Sequence, residues 1–222
     1  MKRTLHASRG FTLIELSVVL VVIGLIIGSV LVGSSILQNA RITATVNALQ
    51  AIQSAVATYN QNYNALPGDD SQANIRFNSS GIVNHGGGNG LIGSAMLSKT
   101  FDNPTLSGDG DGPGESPLAW ECLRAAGLVK GQSTQATPAS NAFGGVIGLQ
   151  NGAFTTNSIG LGTNVICASN IPGAAARVID SRLDDGSALT GNMRGGVSTG
   201  NSVTGPAAEY VDGTASVICM QL

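Results

Sequence analysis

Charge and aromatic rings are scarce in this chain. Of 222 residues, 11% are charged, 4% are aromatic, and only two are histidines. His85 is the one histidine beyond the first ten residues. A single imidazole gives no distinctive signature of a common zinc site or of a nucleophile–histidine pair. Basic residues are few, and Lys2, Arg3 and Arg9 lie at the N-terminus. Removing those three takes the basic count from 11 to 8 against 13 acidic residues, a net charge near −5. The remaining chain carries no basic patch, which argues against nucleic acid as its partner. Glycine, in contrast, is abundant at 31 residues, so a loop-rich region of small side chains with a modest core is expected. The length suits a membrane helix plus one globular domain.

Residues 11–37 lack any charge except Glu15. As a helix, these 27 positions would run about 40 Å, enough to cross a bilayer with tilt. An ordinary secretory signal has an apolar region of only about 7–15 residues, followed by a small-residue cleavage site. Here the run is longer, and the small residue, Gly10, precedes it. Lys2, Arg3 and Arg9 on its N-terminal side predict a cytoplasmic N-terminus and a C-terminal bulk on the other side of the membrane. A carboxylate within such a helix costs about 2.5–3.5 kcal/mol on insertion scales and marks function by default.

Proline and glycine are absent from residues 34–66, and Pro67-Gly68 ends that stretch. Within it Ile42, Val46, Leu49, Ile52, Val56, Tyr59 and Tyr63 recur in steps of three and four, the signature of a helix with one apolar face. One helix is therefore expected from Phe11 to about Asn62, apolar all round in its first half and amphipathic in its second. Gly24 and Gly28 form a GxxxG pattern, which permits close helix approach in lipid. A Gly/Asn/Ser-rich stretch then runs to about Gly114. Short helices are expected over 117–128 and 174–183, and β-like runs over 144–149, 164–168, 197–203 and 215–220. The fold class read from this pattern is α+β, with a long N-terminal helix laid on a small antiparallel sheet. Its parts are a leader at 1–10, a helical spine at 11–64 with 11–37 spanning the membrane, and a head at 65–222.

The run Ser8-Arg9-Gly10-Phe11-Thr12-Leu13-Ile14-Glu15-Leu16-Ser17-Val18-Val19-Leu20 resembles the class III signal of type IV prepilins and type II secretion pseudopilins. The resemblance implies cleavage between Gly10 and Phe11 by a prepilin peptidase, followed by N-methylation of Phe11. Gly10 suits a protease that needs a bare, extended backbone. Glu15 becomes the fifth residue of the mature chain and is expected to pair with the Phe11 amine of a neighbouring copy, fixing axial register. Pairing with its own amine is the intrachain alternative. Many major pilins carry a proline near the position of Val32, and this chain has none. Leu66-Pro67-Gly68-Asp69, Gly108-Asp109-Gly110-Asp111-Gly112, residues 120–128 and Leu183-Asp184-Asp185-Gly186 resemble a recurring set in one group of pilin-like heads.

With the head in an oxidising compartment, disulfides persist, and three cysteines allow three single pairings. Cys167 and Cys219 each end an apolar, strand-like run, so Cys167–Cys219 is the expected bond. Cys122 is then a buried free thiol, and Trp120 beside it an anchor of the head core. Asp109, Asp111 and Glu115 lie in a turn-forming stretch suited to a hard cation, and major secretion pseudopilins resemble this in holding calcium in a head loop. Asp69 and Asp70 are candidates to complete the shell. Asp184-Asp185-Gly186 reads as a plain turn or an N-cap.

The function expected is that of a structural subunit of a type IV pilus-like filament, not an enzyme. It would sit in the inner membrane with its head in the periplasm before joining a pilus or a pseudopilus. Its partners would be copies of itself or other pilins and pseudopilins, the prepilin peptidase and the inner-membrane assembly platform. The alternatives are a pseudopilin driving type II secretion, an adhesion or competence minor pilin and, more distantly, a membrane-tethered enzyme using a carboxylate pair.

Overall fold

The computed structural model describes residues 10–93, 114–154, 159–197, 203 and 205–222. The chain divides into two compact units, residues 1–40 and 41–222. A single helix, α1 (Leu13–Tyr63), has residues in both. It ends where Asn64 takes a left-handed conformation, φ 53°, with its amide donating to the Asn60 carbonyl at 2.8 Å.

In the first unit the apolar part of α1 finds no cover. Leu13, Leu20, Leu25, Val30 and Leu37 are each more than 60% exposed. A helix that is apolar all round needs lipid or other helices about it, and the described residues of the first unit supply none.

In the second unit the amphipathic stripe does what its spacing predicts. Ile42, Val46, Leu49, Ile52, Val56 and Tyr59 are all buried in the main core, with Tyr63 packed against it. At roughly 1.5–3 kcal/mol for each fully buried large side chain, this stripe contributes on the order of 10 kcal/mol before entropy is set against it.

Five strands form one antiparallel sheet in the order β1-β2-β3-β5-β4. They are β1 (Ala139–Ser140), β2 (Val146–Ala153), β3 (Leu161–Pro172), β4 (Met193–Val197) and β5 (Ala215–Gln221). Side chains alternate between its faces, as a pleated strand requires. Ile166, Ala168, Ile218 and Met220 join the core that contains α1. Val165, Cys167, Val217 and Cys219 belong to a second core with Phe154, Leu161, Val203 and Ala207. Cys167 and Cys219 are directly paired in register and are joined by a disulfide. Cys122 is free and buried. Trp120 is completely buried in the main core.

Four short helical segments complete the head: α2 (Ala73–Arg76), a 3-10 turn (Asn78–Ser80), α3 (Glu115–Ala125) and α4 (Gly173–Leu183). α3 begins two residues before the expected 117, with Pro117 accommodated in its first turn where a missing N–H does no harm. It ends at Ala125, two residues before Gly127 at φ 72°, rather than running to 128. Of the strand expected over 197–203, residues 198–202 lie outside the described residues; β4, which is not among the expected strands, ends at Val197. Gly195-Gly196, which reads as a strand breaker, lies inside β4. A Cβ on Gly195 would stand 2.2 Å from the Tyr210 ring, and one on Gly196 2.5 Å from the Phe154 ring. Glycine within a strand marks such close approaches. Gly195→Ala is accordingly expected to lower stability by about 1–3 kcal/mol through overpacking, which a urea melt of the two proteins would measure.

Candidate functional site

Gly10, Phe11 and Thr12 precede the first residue of α1. Gly10 is exposed and has no heavy atom within 4 Å of where a Cβ would stand, and Phe11 is 82% exposed. The junction thus lies outside the helix and is exposed. One turn further on, Glu15 is bonded to Thr12. The Thr12 amide donates to Glu15 Oε2 at 2.8 Å and the Thr12 hydroxyl donates to the same oxygen at 2.9 Å. In return the Glu15 amide donates to Thr12 Oγ1 at 3.3 Å. This is a capping box, in which two otherwise unpaired amides at the helix start are satisfied reciprocally. The signal for it, Thr-x-x-Glu before an apolar run, lies in plain view at 12–15, behind the more conspicuous reading of Glu15 as a lone membrane acid. Within a single subunit, Glu15 therefore starts the helix. Its second oxygen, Oε1, has no partner among the described residues.

In the head, carboxylates hold loops by their backbone amides. Asp69 Oδ1 accepts from the amides of Gly88 at 2.6 Å and Asn89 at 2.9 Å, and Oδ2 from Gly90 at 2.7 Å. Glu115, at the start of α3, accepts from Gly87 at 2.8 Å and Gly93 at 2.7 Å, one on each oxygen. Two carboxylates thus fasten residues 87–93 by five amides. Asp109 and Asp111 lie outside the described residues. Glu115, the third member of the expected cation set, has both oxygens committed to backbone donors, a poor starting point for a bidentate calcium ligand. Asp70 is likewise engaged, accepting from the Tyr59 hydroxyl at 2.8 Å, the Gln72 amide at 2.8 Å and the Arg76 guanidinium. Cys122 is pushed up to about 11, chiefly by burial, so it stays a thiol rather than a nucleophile.

Asp180, Asp184 and Asp185 bring carboxylate oxygens within 4.8 Å of one another at the end of α4. The expected plain turn is there in part: the Ser187 amide donates to Asp185 Oδ1 at 2.9 Å. The other contacts are longer in reach. The amides of Asn192 and Met193 donate to Asp184 at 2.5 and 2.8 Å, tying α4 to the start of β4. The Tyr210 hydroxyl donates to Asp180 Oδ2 at 2.5 Å, and the Gly186 amide to Oδ1 at 3.0 Å.

An exposed Gly–Phe junction, a capped apolar helix of membrane length and an α+β head make up a pilin-like layout. The comparison with known families agrees at its most specific point. Residues 5–31 match the family described as the prokaryotic N-terminal methylation motif, and the chain therefore carries the type IV pilin and pseudopilin signal. No curated protein matches the chain significantly.

Burial raises the Asp180 carboxyl above the ordinary value of 3.8, against the bonds from Tyr210 and Gly186, which act to lower it. The folded state then binds the proton more tightly than the unfolded one. Stability from the protonated form is complete below the unfolded value and is lost as pH rises through the raised folded value. Melting temperatures followed from about pH 3 to about pH 7 should show this decline in the wild type and a flatter profile in Asp180→Asn. Identical profiles would contradict the assignment.

Proposed function

We propose that the protein is a structural subunit of a type IV pilus-like filament. It enters the inner membrane with its N-terminus in the cytoplasm and its head in the periplasm. A prepilin peptidase cuts between Gly10 and Phe11 and methylates the new amine, and the product polymerises through the apolar half of α1. The observation that carries this reading is that half-helix: membrane-length, exposed along its apolar length, and overlapped by the methylation motif at residues 5–31. Helix packing against other copies, or against other pilins, supplies cohesion. Glu15 supplies register: its unoccupied oxygen meets the Phe11 amine of the next subunit where lipid or protein excludes water, and there an unpaired charge is costly. The work is mechanical, so no catalytic group is assigned.

A pseudopilin of a type II secretion system is the second reading. It is favoured by the unbroken course of α1 through Val32, where many major pilins have a helix-loosening proline. The disulfide joining the last strand to the centre of the sheet favours a pilin, whose head meets shear outside the cell.

Gly10→Val should leave the leader attached, which intact-mass measurement of membrane extracts would show as an unprocessed chain without N-methylation. Glu15→Gln should be cleaved normally yet fail to enter filaments, seen as loss of immunogold-labelled fibres with antibody to the head. A Glu15→Gln protein that assembles as well as wild type would remove Glu15 from the mechanism.

A further inference from the structure

At the C-terminal end of α1 the head contains a cleft of about 420 Å³ lined by Asn60, Asn64, Asp69, Asp70, Ser71 and Arg76, with the backbone of Gly88 and Gly90. Its charges are already answered. Asp69 is held by three amides, and Asp70 by Tyr59, Gln72 and Arg76. The Arg76 guanidinium is also fixed over the Tyr63 ring, 5.6 Å from its centroid. An ionic ligand would find no uncompensated partner here. The groups left to a ligand are neutral: the Asn60 and Asn64 amides, one helical turn apart, and the Ser71 hydroxyl. None of these three side chains bonds to the protein among the described residues. Each side-chain amide offers donors and an acceptor side by side, which is the pattern that adjacent sugar hydroxyls match. The carboxylates keep acceptor capacity for further hydroxyl donors while remaining rigidly placed.

A second, more apolar groove of about 620 Å³ shares Asn60 and Leu66 with this cleft and continues past Gln53 and Thr163. The shared residues make one track, longer than a single sugar ring needs. We infer that the track over Asn60, Asn64 and Ser71 is a binding site for a neutral oligosaccharide. Polar groups of the ligand would meet the amides, and its ring faces the apolar groove. The site belongs to the head alone and does not depend on filament assembly.

The test uses the full chain in phosphocholine micelles, which carry no sugar head groups. Saturation-transfer NMR would be recorded with maltotriose, cellotriose and chitotriose as neutral probes and trigalacturonate as an acidic one. At least one neutral trisaccharide should receive saturation. Its affinity should fall about tenfold in Asn60→Ala/Ser71→Ala, two exposed positions, each lost neutral hydrogen bond counting for a few-fold. Gln61→Ala, exposed on α1 and lining neither cleft, should bind as wild type. Asn64→Gly, which keeps the left-handed backbone, provides an independent variant, and thermal melts establish that each variant is folded. Three outcomes overturn the inference: no transfer to any neutral probe at about 5 mM, transfer unchanged in the double variant, or preference for trigalacturonate.

Discussion

The head is organised on one stripe of α1. Ile42, Val46, Leu49, Ile52, Val56 and Tyr59 face the same way because a helix repeats every 3.6 residues, and all six belong to the main core. Helix α3 brings Leu118, Trp120 and Leu123, the sheet brings Ile147, Leu149, Ile166 and Ile218, and α4 brings Ala176 and Ile179. In a chain with few aromatics, one long helix thus substitutes for bulky side chains spread through the fold. The same helix upstream of residue 40 has an apolar surface all round and no core of its own. These two halves set the two physical demands on the protein: one is met within the subunit, and the other has to be met outside it.

The scarcity of charge has a structural counterpart. The ion pairs between described side chains are Arg76–Asp70 and the solvent-exposed Arg177–Asp212. Two of the buried acids do different work. Asp69 and Glu115 accept from backbone amides of segments distant in sequence, and such charge-assisted bonds are stronger than neutral ones. A glycine-rich chain has many loops whose amides lack a ladder partner, and a buried carboxylate satisfies two or three at once. Gly86 shows how closely the parts fit, since a Cβ there would stand 2.2 Å from the Gly68 carbonyl. The rigid wall made by these contacts is also what gives the Asn60–Asn64 cleft a defined shape.

Much of this was legible in the sequence, and the misses have physical causes. The course of α1 follows from a spacing that only a helix satisfies, together with thirty-odd residues free of Pro and Gly. The Cys167–Cys219 pair stands where two apolar, strand-like runs end, and antiparallel register brings them opposite each other. β4 was not anticipated because Gly195 and Gly196 blur the period-2 pattern of a strand. Their role is to make room for Tyr210 and Phe154, side chains distant in sequence. The backbone amides that Asp69 and Glu115 hold were not legible, because every residue carries an amide; Asp109 and Asp111 lie outside the described residues. Glu15 drew attention as a charge in a membrane helix, and its bond to Thr12 follows from a local four-residue pattern.

The demand that the first half of α1 makes on its surroundings is the centre of this account, and it can be met by lipid alone or by other subunits. A photocross-linking amino acid placed at Ile23, on that exposed helix, and activated in intact cells separates the two. The account predicts a ladder of adducts between copies of this chain or between it and other pilins. Only monomer and lipid adducts, with the leader already removed, would contradict it.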